Sequence, residues 1–414
     1  FIQHTLMSST ILRTGIILLF TAILIYRLAS NPSLATFGYI AVSWALDYDR
    51  DQPTIQNYDG QIEDHIFKHR FIPINQTYHG LPVEATYHVV ECGKEDAEPI
   101  VFGHGLCENW RVWKKIMTEF CSTHRVVAYD SEGMGQSAWP NVLRDLPKGQ
   151  STTFMADMQM EMLRKIGIRR FNLVITDYSF WTTLSMLSDF GDTILRYGKL
   201  QSTVGVEDVN RIPQGKLMKA IPRTMDFITN LNKFALARVL FGKPLLQWPA
   251  VVGNRRNARE IPDSEFNEVI LSGLRENGLT AWVYFYNYGR DMCAQMDYQI
   301  DVFRQARYPV LILQGDSDRG QPKELFDGTA AMEIVERPAV SMREKMSRYN
   351  HTHVTVTTYS GDGSVIGPKA DEFFPNSPWK KLRMLEGIGH FPHMEAPDVV
   401  VSSLKELFDV PLSE

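Results

Sequence analysis

The stretch that decides the fold is Phe171-Asn-Leu-Val-Ile-Thr-Asp177-Tyr-Ser179-Phe-Trp181. It starts as a short apolar run, reaches a polar residue and continues into a helical pattern, which predicts a strand, a sharp turn and a helix. A nucleophile on such a turn needs small side chains around it. Asp177 has Ser179 two positions on, whereas Ser179 itself would have the bulky Trp181 there. The stretch therefore favours Asp177 as a nucleophile, with an aspartate that caps the next helix as the alternative.

Short apolar runs alternate with helical patterns on both sides of this stretch, and residues 153–166 form a clear helical pattern. Strands that alternate with helices are typical of α/β proteins, in which a mostly parallel sheet has helices on both faces. The sequence therefore predicts an α/β fold. The predicted strands are residues 83–90, 99–102, 125–129, 171–175, 204–206, 308–313 and 353–358.

The chain divides into regions of different texture. A hydrophobic N-terminal segment comes first, and the alternating pattern of the core follows it. A helix-rich stretch dense in aromatic residues then interrupts the pattern, and we interpret it as a cap over the site. Residues 323–380 are longer than a strand connection needs and have no assigned role. The predicted divisions are 1–48 for the N-terminal segment, 49–209 and 299–414 for the core, and 210–298 for the cap.

Two glycine-rich segments follow predicted strands. In Phe102-Gly-His104-Gly-Leu106-Cys-Glu108-Asn-Trp110, the His-Gly turn lets the backbone N–H of Leu106 point into a cavity and bind an anion. A plain glycine-rich turn is the alternative. The segment Asp130-Ser-Glu-Gly-Met-Gly-Gln-Ser137 predicts a tight turn, because its spacing does not match a phosphate-binding loop.

Two later segments supply an acid and a histidine. Gln-Gly315-Asp-Ser-Asp318 ends a predicted strand, and Gly389-His390 comes near the end of the chain. Nucleophile, acid and histidine in this order match the chain order of a hydrolase triad on such a sheet. We favour Asp318 as the acid, with Glu207 or Asp208 as the alternative.

Together these segments resemble the α/β-hydrolase superfamily from about residue 60 to residue 414, and above all its aspartate-nucleophile branch. The epoxide hydrolase pattern H-G-F-P-E-S-W-x-x-W-R is similar to His104-Gly-Leu-Cys-Glu108-Asn-Trp110-Arg-Val-Trp113-Lys114. Haloalkane dehalogenases, the second resemblance, carry an asparagine just after His-Gly and a tryptophan just after the nucleophile. Leu106 and Tyr178 occupy these positions here, so that halide cradle is missing.

The predicted cap adds Gly278-Leu-Thr-Ala-Trp282-Val-Tyr-Phe-Tyr286-Asn-Tyr288, which resembles the epoxide hydrolase segment G-L-T-x-x-L-N-Y-Y-R. On this alignment Tyr286 takes the place of one ring-opening tyrosine. An aromatic stripe on a core-facing helix is the alternative. The second tyrosine of the usual pair has no clear match.

The resemblance implies that Asp177 opens an epoxide and forms an alkyl-enzyme ester, since carboxylates are ionised near neutral pH and need no base. Tyr286 would stabilise the alkoxide, and His390, oriented by Asp318, would activate the water that cleaves the ester.

The resemblance also implies an oxyanion hole and a substrate-binding surface. The backbone N–H groups of Leu106 and Tyr178 would hold the oxyanion. The substrate-binding side chains would be His104, Trp110, Trp181 and Trp282.

The expected function is therefore the hydrolysis of a lipophilic small molecule, with an epoxide as the first candidate. Haloalkane dehalogenation, an esterase that uses Ser179, and a biosynthetic reaction on the same scaffold are the alternatives. A non-catalytic protein that binds a hydrophobic ligand or a partner is an alternative from another class.

Composition and charge narrow the classes further. The formal net charge is −5 and no cluster of Lys and Arg stands out, so we do not expect a nucleic-acid partner. The four cysteines show no C-x-x-C spacing and indicate neither a zinc site nor a disulfide framework. His351 and His353 share a strand face without a third ligand nearby in sequence. We therefore expect no cofactor and no metal.

The N-terminal segment contains an apolar run at residues 15–26, between Arg13 and Arg27. It is shorter than the roughly 20 residues that span a bilayer, although flanking arginines can reach the interface. We interpret residues 15–28 as a membrane-associated segment, with the endoplasmic reticulum as a candidate location. A helix packed on protein in a soluble cytoplasmic chain and a signal peptide are the alternatives. Asn75 and Asn350 begin N-x-[ST] sequons. The sequence leaves the oligomeric state and the redox compartment open.

Overall fold

The computed structural model describes the sheet, its flanking helices and the loops at the sheet's carboxyl edge. The described residues are 66–78, 80–105, 108–138, 151–177, 179–200, 261, 269, 302–303, 305–315, 356–360 and 374–412.

Nine strands form one sheet in the order β1-β2-β4-β3-β5-β6-β7-β9-β8. The pairs from β4 through β3, β5, β6 and β7 to β9 are parallel, whereas β1, β2 and β8 join antiparallel at the two edges. The strands are β1 Lys68–Tyr78, β2 Leu81–Cys92, β3 Pro99–Gly103, β4 Arg125–Tyr129, β5 Phe171–Thr176, β6 Ile194–Leu200, β7 Val310–Gly315, β8 Val356–Ser360 and β9 Lys380–Leu385.

Helices cover both faces of the sheet. The α-helices are α1 Lys114–Phe120, α2 Ser151–Lys165, α3 Ser179–Asp189, α4 Pro392–Glu395 and α5 Pro397–Phe408, and short 3-10 helices lie at Trp110–Trp113 and Gly191–Thr193. Side chains of α2 and α3 pack in one core cluster with Leu173 and Ile175 of β5. Those of α1 and α5 pack in the other cluster with Val174. Successive residues of a strand point to opposite faces, so β5 contributes to both clusters and reads as a continuous apolar run.

The structure confirms the α/β fold and the helix near residues 153–166, which spans Ser151–Lys165. The strand prediction missed β6, because Arg196 and Lys199 interrupt its apolar run. Both residues are buried. Arg196 is buried because its guanidinium pairs with Glu98 at 2.8 Å and donates to Asn172 Oδ1 at 3.0 Å.

The predicted N-terminal segment 1–48 lies outside the described residues, as do nearly all of the cap 210–298 and most of residues 323–380. These divisions stay predictions. Within the described part of the chain, no helix has the length and apolar character that crossing a membrane requires.

One sequence-based expectation needs correction. The cysteine spacing indicated no disulfide framework, but Cys92 and Cys121 form a disulfide, with their Cα atoms 5.3 Å apart. Cys92 ends β2 and Cys121 follows α1 directly. The partners are 29 residues apart in sequence and meet only when β2 and α1 pack together, so cysteine spacing carried no signal for them.

Candidate active site

The candidate site lies where β3 and β5 end, at the centre of the sheet. The chain leaves β3 toward β4 on one side and later places β5 on the other side. Ligands of open α/β sheets bind at such a switch point, beyond the carboxyl ends of the strands. The His-Gly segment follows β3 and Asp177 follows β5, so the fold brings both predicted segments to this point.

Asp177 occupies the turn between β5 and α3. Its φ is 43°, which makes it the one non-glycine residue with positive φ among those that the structure describes. Left-handed backbone is unfavourable for residues with a Cβ and often marks functional sites. The Asp177 side chain is 22% exposed. The strand-turn-helix that the sequence predicted at this position is therefore present, with its strain at the predicted residue.

Ser179, the alternative nucleophile, lies in the first turn of α3 and is buried. Its hydroxyl donates a hydrogen bond to the carbonyl oxygen of His104. A side chain on Gly103 would approach Ser179, with a Cβ only 3.0 Å from its Oγ. Ser179 thus links the start of α3 to the residue after β3 by a hydrogen bond, and the strained turn position is that of Asp177.

His390 faces Asp177 from the other side of the site. Its Nε2 lies 3.6 Å from Asp177 Oδ1, which is longer than a hydrogen bond. The Glu395 carboxylate accepts the backbone N–H of Gly389 at 2.8 Å and that of Phe391 at 2.9 Å. Glu395 therefore fixes the backbone on both sides of His390, a function that the sequence did not reveal.

The end of β7 packs against the loop that carries His390. A Cβ on Gly315 would collide with the carbonyl groups of Ile388 and Gly389, so only glycine fits there. The close approach brings the last residue of β7 next to the His390 loop. Asp318, three residues beyond Gly315, lies outside the described residues, and its function as the acid stays a prediction.

Glu108 is a buried carboxyl group beside the candidate nucleophile. Its Oε2 accepts the backbone N–H of Gly105 at 2.7 Å. A Cβ on Gly105 would lie 2.6 Å from Glu108 Oε1 and 2.9 Å from Asp177 Cβ, so Gly105 separates the two acids without room to spare. Burial, and next the negative charge of Asp177, raise the pKa of Glu108 to about 8. Glu108 belongs to the His-Gly segment, but the sequence does not predict its function, because its burial depends on the tertiary fold.

His104 is fully buried, and both ring nitrogens are hydrogen bonded. The Ser131 N–H donates to Nε2 at 2.8 Å, so Nδ1 carries the proton and donates to the Gly105 carbonyl at 2.7 Å. Burial lowers the pKa of the His104 imidazole, which agrees with a neutral ring. This geometry does not support the predicted contact with substrate. The ring instead links the loop after β3 to the loop after β4.

The segment after β4 is a structural turn around Asp130. The Asp130 carboxylate accepts the backbone N–H of Trp110 at 2.8 Å and that of Gln136 at 2.9 Å, and His88 Nδ1 lies 2.7 Å from its Oδ2. Burial alone would raise the pKa of Asp130, but His88, His104 and the Trp110 N–H together hold it below its usual value. Trp110 is almost fully buried, and this burial does not support its predicted contact with substrate.

His393 follows His390 by three residues and is fully buried against the core. Its ring stacks on Trp113, with centroids 4.6 Å apart. Burial, and next the charge of His390, lower the pKa of His393 to about 3. The ring is therefore neutral and belongs to the packing beneath the site.

The remaining predicted residues cannot be placed in this site. Trp181 lies in α3 by its backbone position. Four others, together with Asp318, lie outside the described residues: Leu106, Tyr178, Trp282 and Tyr286. No group of three or more metal-ligating side chains is present among the residues that the structure describes.

Solved structures share this architecture. Epoxide hydrolase VrEH1 from Vigna radiata matches with a TM-score of 0.54 and 17% identity, over 83% of this chain and 97% of that one. The Cif epoxide hydrolase from Acinetobacter nosocomialis matches with a TM-score of 0.54 and 16% identity, over 90% of this chain and 96% of that one. At these identities the likeness shows the fold, and the chain has the α/β-hydrolase fold.

Sequence comparison gives a narrower match. Epoxide hydrolase 3 of Xenopus tropicalis is 32% identical over 92 residues, which are 22% of this chain. The match spans 24% of the length of that protein, about a quarter of it. No protein-family model matches the chain. The resemblance to epoxide hydrolases is thus confirmed as a structural likeness.

Proposed function

We propose that this protein is a hydrolase that converts a lipophilic epoxide to a diol through an ester on Asp177. One observation carries the proposal: Asp177 stands on a left-handed turn between strand and helix, and His390 Nε2 faces its carboxylate at 3.6 Å. Aspartate on this turn suits attack on a saturated carbon, because a carboxylate needs no base to become a nucleophile. The likeness to solved epoxide hydrolases supports the same choice.

In the first step, a carboxylate oxygen of Asp177 attacks one epoxide carbon from the side opposite the ring oxygen. The carbon–oxygen bond of the ring breaks, and its electron pair stays on oxygen as an alkoxide. Tyr286 donates its phenolic proton to this alkoxide. The product of the step is an alkyl ester of Asp177 that carries a hydroxyl group.

In the second step, His390 removes a proton from water, and the hydroxide attacks the ester carbonyl carbon of Asp177. Asp318 orients the imidazole, and the backbone N–H groups of Leu106 and Tyr178 hold the oxyanion. The ester carbon–oxygen bond then breaks, and the leaving alkoxide takes the proton of the newly formed Asp177 carboxyl group, so the diol and the Asp177 carboxylate are released. The proton held by His390 returns through solvent to the Tyr286 phenolate. The distance of 3.6 Å supports this assignment, because it places the imidazole next to the Asp177 carbonyl group that the water attacks.

Glu108 contributes as a neutral acid. Its raised pKa keeps it protonated near neutral pH, so it adds no second negative charge beside Asp177. The nucleophile thus keeps its charge in a site where two adjacent carboxylates would repel each other.

The ester intermediate can be tested by single turnover in ¹⁸O-labelled water with lipophilic epoxides. Hydroxide attacks the carbonyl carbon of the ester, so one label should enter the Asp177 carboxylate and appear in the mass of its peptide. Asp177→Asn is the control, and it should form no ester. An active enzyme that carries no label in Asp177 would contradict the proposal.

A second measurement tests His390. We expect His390→Gln to form the ester but to hydrolyse it slowly, so the alkylated Asp177 peptide should accumulate. Normal turnover by this variant would show that another base acts. Parallel assays with haloalkanes and carboxylic esters test the alternative reactions. We expect no ester hydrolysis by Ser179, because its hydroxyl is hydrogen bonded to the His104 carbonyl.

We further propose that residues 15–28 attach the protein to a membrane, where a lipophilic substrate partitions. The apolar run between Arg13 and Arg27 supports this location, and the endoplasmic reticulum is the first candidate. Fractionation of the full chain tests it. We expect recovery in the membrane fraction and release by detergent, and full recovery without detergent would contradict the attachment.

A further inference from the structure

Two features of the described chain are not used by the proposed reaction. One is the Cys92–Cys121 disulfide, and the other is the sequon Asn75-Gln-Thr77 on β1. In the sheet, β2 and β4 separate β1 from the strands that hold the candidate active site. A modification on β1 therefore leaves that site unobstructed.

The disulfide joins two elements of the folded domain. Cys92 is the last residue of β2 and is almost fully buried, and Cys121 follows α1. Thiols in the cytosol are kept reduced, whereas disulfides form and persist in oxidising compartments such as the lumen of the endoplasmic reticulum. The disulfide between buried Cys92 and half-buried Cys121 therefore indicates that the domain folds in an oxidising compartment.

The sequon faces solvent. Asn75 and Thr77 lie two residues apart on β1, so both point to the same face, and both are exposed. The residue paired with Asn75 on β2, Glu84, is also exposed, whereas Ile72 and Ile74 on the other face are buried. A glycan on Asn75 would extend into solvent and displace no packed side chain.

Because N-linked glycosylation and disulfide formation take place in the same compartment, we propose that Asn75 carries an N-linked glycan and that the domain matures in the oxidising lumen of the secretory pathway. The Asn75 amide nitrogen loses a proton and bonds to the first carbon of an oligosaccharide, whose lipid-linked diphosphate leaves. The thiols of Cys92 and Cys121 give two electrons and two protons to the disulfide of an oxidoreductase, which becomes a dithiol. The inference is independent of the reaction proposed above.

Glycosylation is tested with the full chain produced in a eukaryotic cell. Treatment with an endoglycosidase that releases N-linked glycans should increase the mobility of the native chain and leave an aspartate at position 75, which peptide mass spectrometry detects. The mobility shift that comes from a glycan on Asn75 should be absent in Asn75→Gln and Thr77→Ala. It should persist in Thr77→Ser, which keeps the sequon, and in Asn350→Gln, which removes the other one.

The disulfide is tested on the same material by alkylation before and after reduction. We expect Cys92 and Cys121 to react only after reduction. Free thiols at both positions in the freshly isolated chain would overturn the inference. So would an Asn75 peptide that carries no glycan, or a mobility shift that is the same in Thr77→Ala and Thr77→Ser.

Discussion

Asp177 combines a reactive group with a strained backbone. Its φ of 43° lies in a region that costs a residue with a Cβ on the order of 1–3 kcal/mol. The surrounding structure holds this conformation, because β5 is paired with β3 on one side and β6 on the other, and α3 begins two residues later. This turn conformation places the Asp177 carboxylate beyond the carboxyl ends of the strands, opposite His390.

Glu108 makes stability depend on pH near neutrality. Its pKa is 4.5 in an unfolded chain and about 8 here, so its contribution is present below pH 4.5 and is lost as pH rises through 8. The loss amounts to roughly 4–5 kcal/mol over the window. We expect Glu108→Gln, which still accepts from the Gly105 N–H, to remove this loss. Urea unfolding at pH 5, 7 and 8 measures it, and parallel stability curves for the two proteins would contradict it.

The contribution of His393 to stability changes with pH in the opposite direction. Its pKa falls from 6.5 in an unfolded chain to about 3, so its contribution is fully present above pH 6.5 and is lost as pH falls toward 3. The slope is about 1.4 kcal/mol per pH unit. We expect His393→Phe, which can still stack on Trp113, to be less sensitive to acid. Unfolding measured from pH 7 to pH 4 tests this, and an unchanged acid slope would show that His393 is hydrated in the folded chain.

At the scale of the element, the loop before α4 depends on the Glu395 carboxylate. Glu395→Gln leaves one strong acceptor for two N–H groups, so the His390 ring should lose its position. We expect a decrease in kcat of about 10- to 100-fold, because small displacements of a catalytic group are costly. Since His390 acts on the ester, rapid-mixing kinetics should show normal ester formation and slow ester hydrolysis.

A matched control separates position from fold in this experiment. Glu386 is exposed in the same loop, and Glu386→Gln should leave both steps unchanged. Equal slowing of both steps in Glu395→Gln, with a lower unfolding free energy, would indicate a structural function only.

Strands were predictable from the sequence where a run of apolar residues is buried on both faces of the sheet. The runs that became β3, β4, β5 and β7 are short and apolar, and their burial on both faces follows from the helices that cover them. The strands β6 and β9 contain charged residues, and the sequence did not predict them. Arg196 on β6 and Arg383 on β9 are tolerated because Glu98 and Glu406 meet them in the folded chain. Such partners are distant in sequence and have no local signal.

At the scale of the whole molecule, the Cys92–Cys121 disulfide closes a loop that contains β3 and α1. For partners 29 residues apart, loop closure predicts a contribution of about 3–4 kcal/mol. We expect the double substitution Cys92→Ala and Cys121→Ala to lower the free energy of unfolding by about this amount. Guanidinium unfolding under oxidising conditions measures the loss.

Two comparisons complete this prediction. Reductant should destabilise the native chain and leave the double variant unchanged. If the native chain has the same stability with and without reductant, the disulfide contributes nothing to stability through loop closure.

The sequence by itself determined the α/β class, the turn at Asp177 and its order with His390, because strands, turns and helices leave local patterns of apolar and small residues. Only the tertiary structure decided what surrounds that turn. Glu108 became a buried acid, His104 a link between two loops and Glu395 the anchor of the His390 loop, and Cys92 met Cys121. Each depends on segments that are distant in sequence and meet where parallel strands end. Asp177 is therefore defined twice, by its local pattern as a turn residue and by its neighbours as the candidate nucleophile.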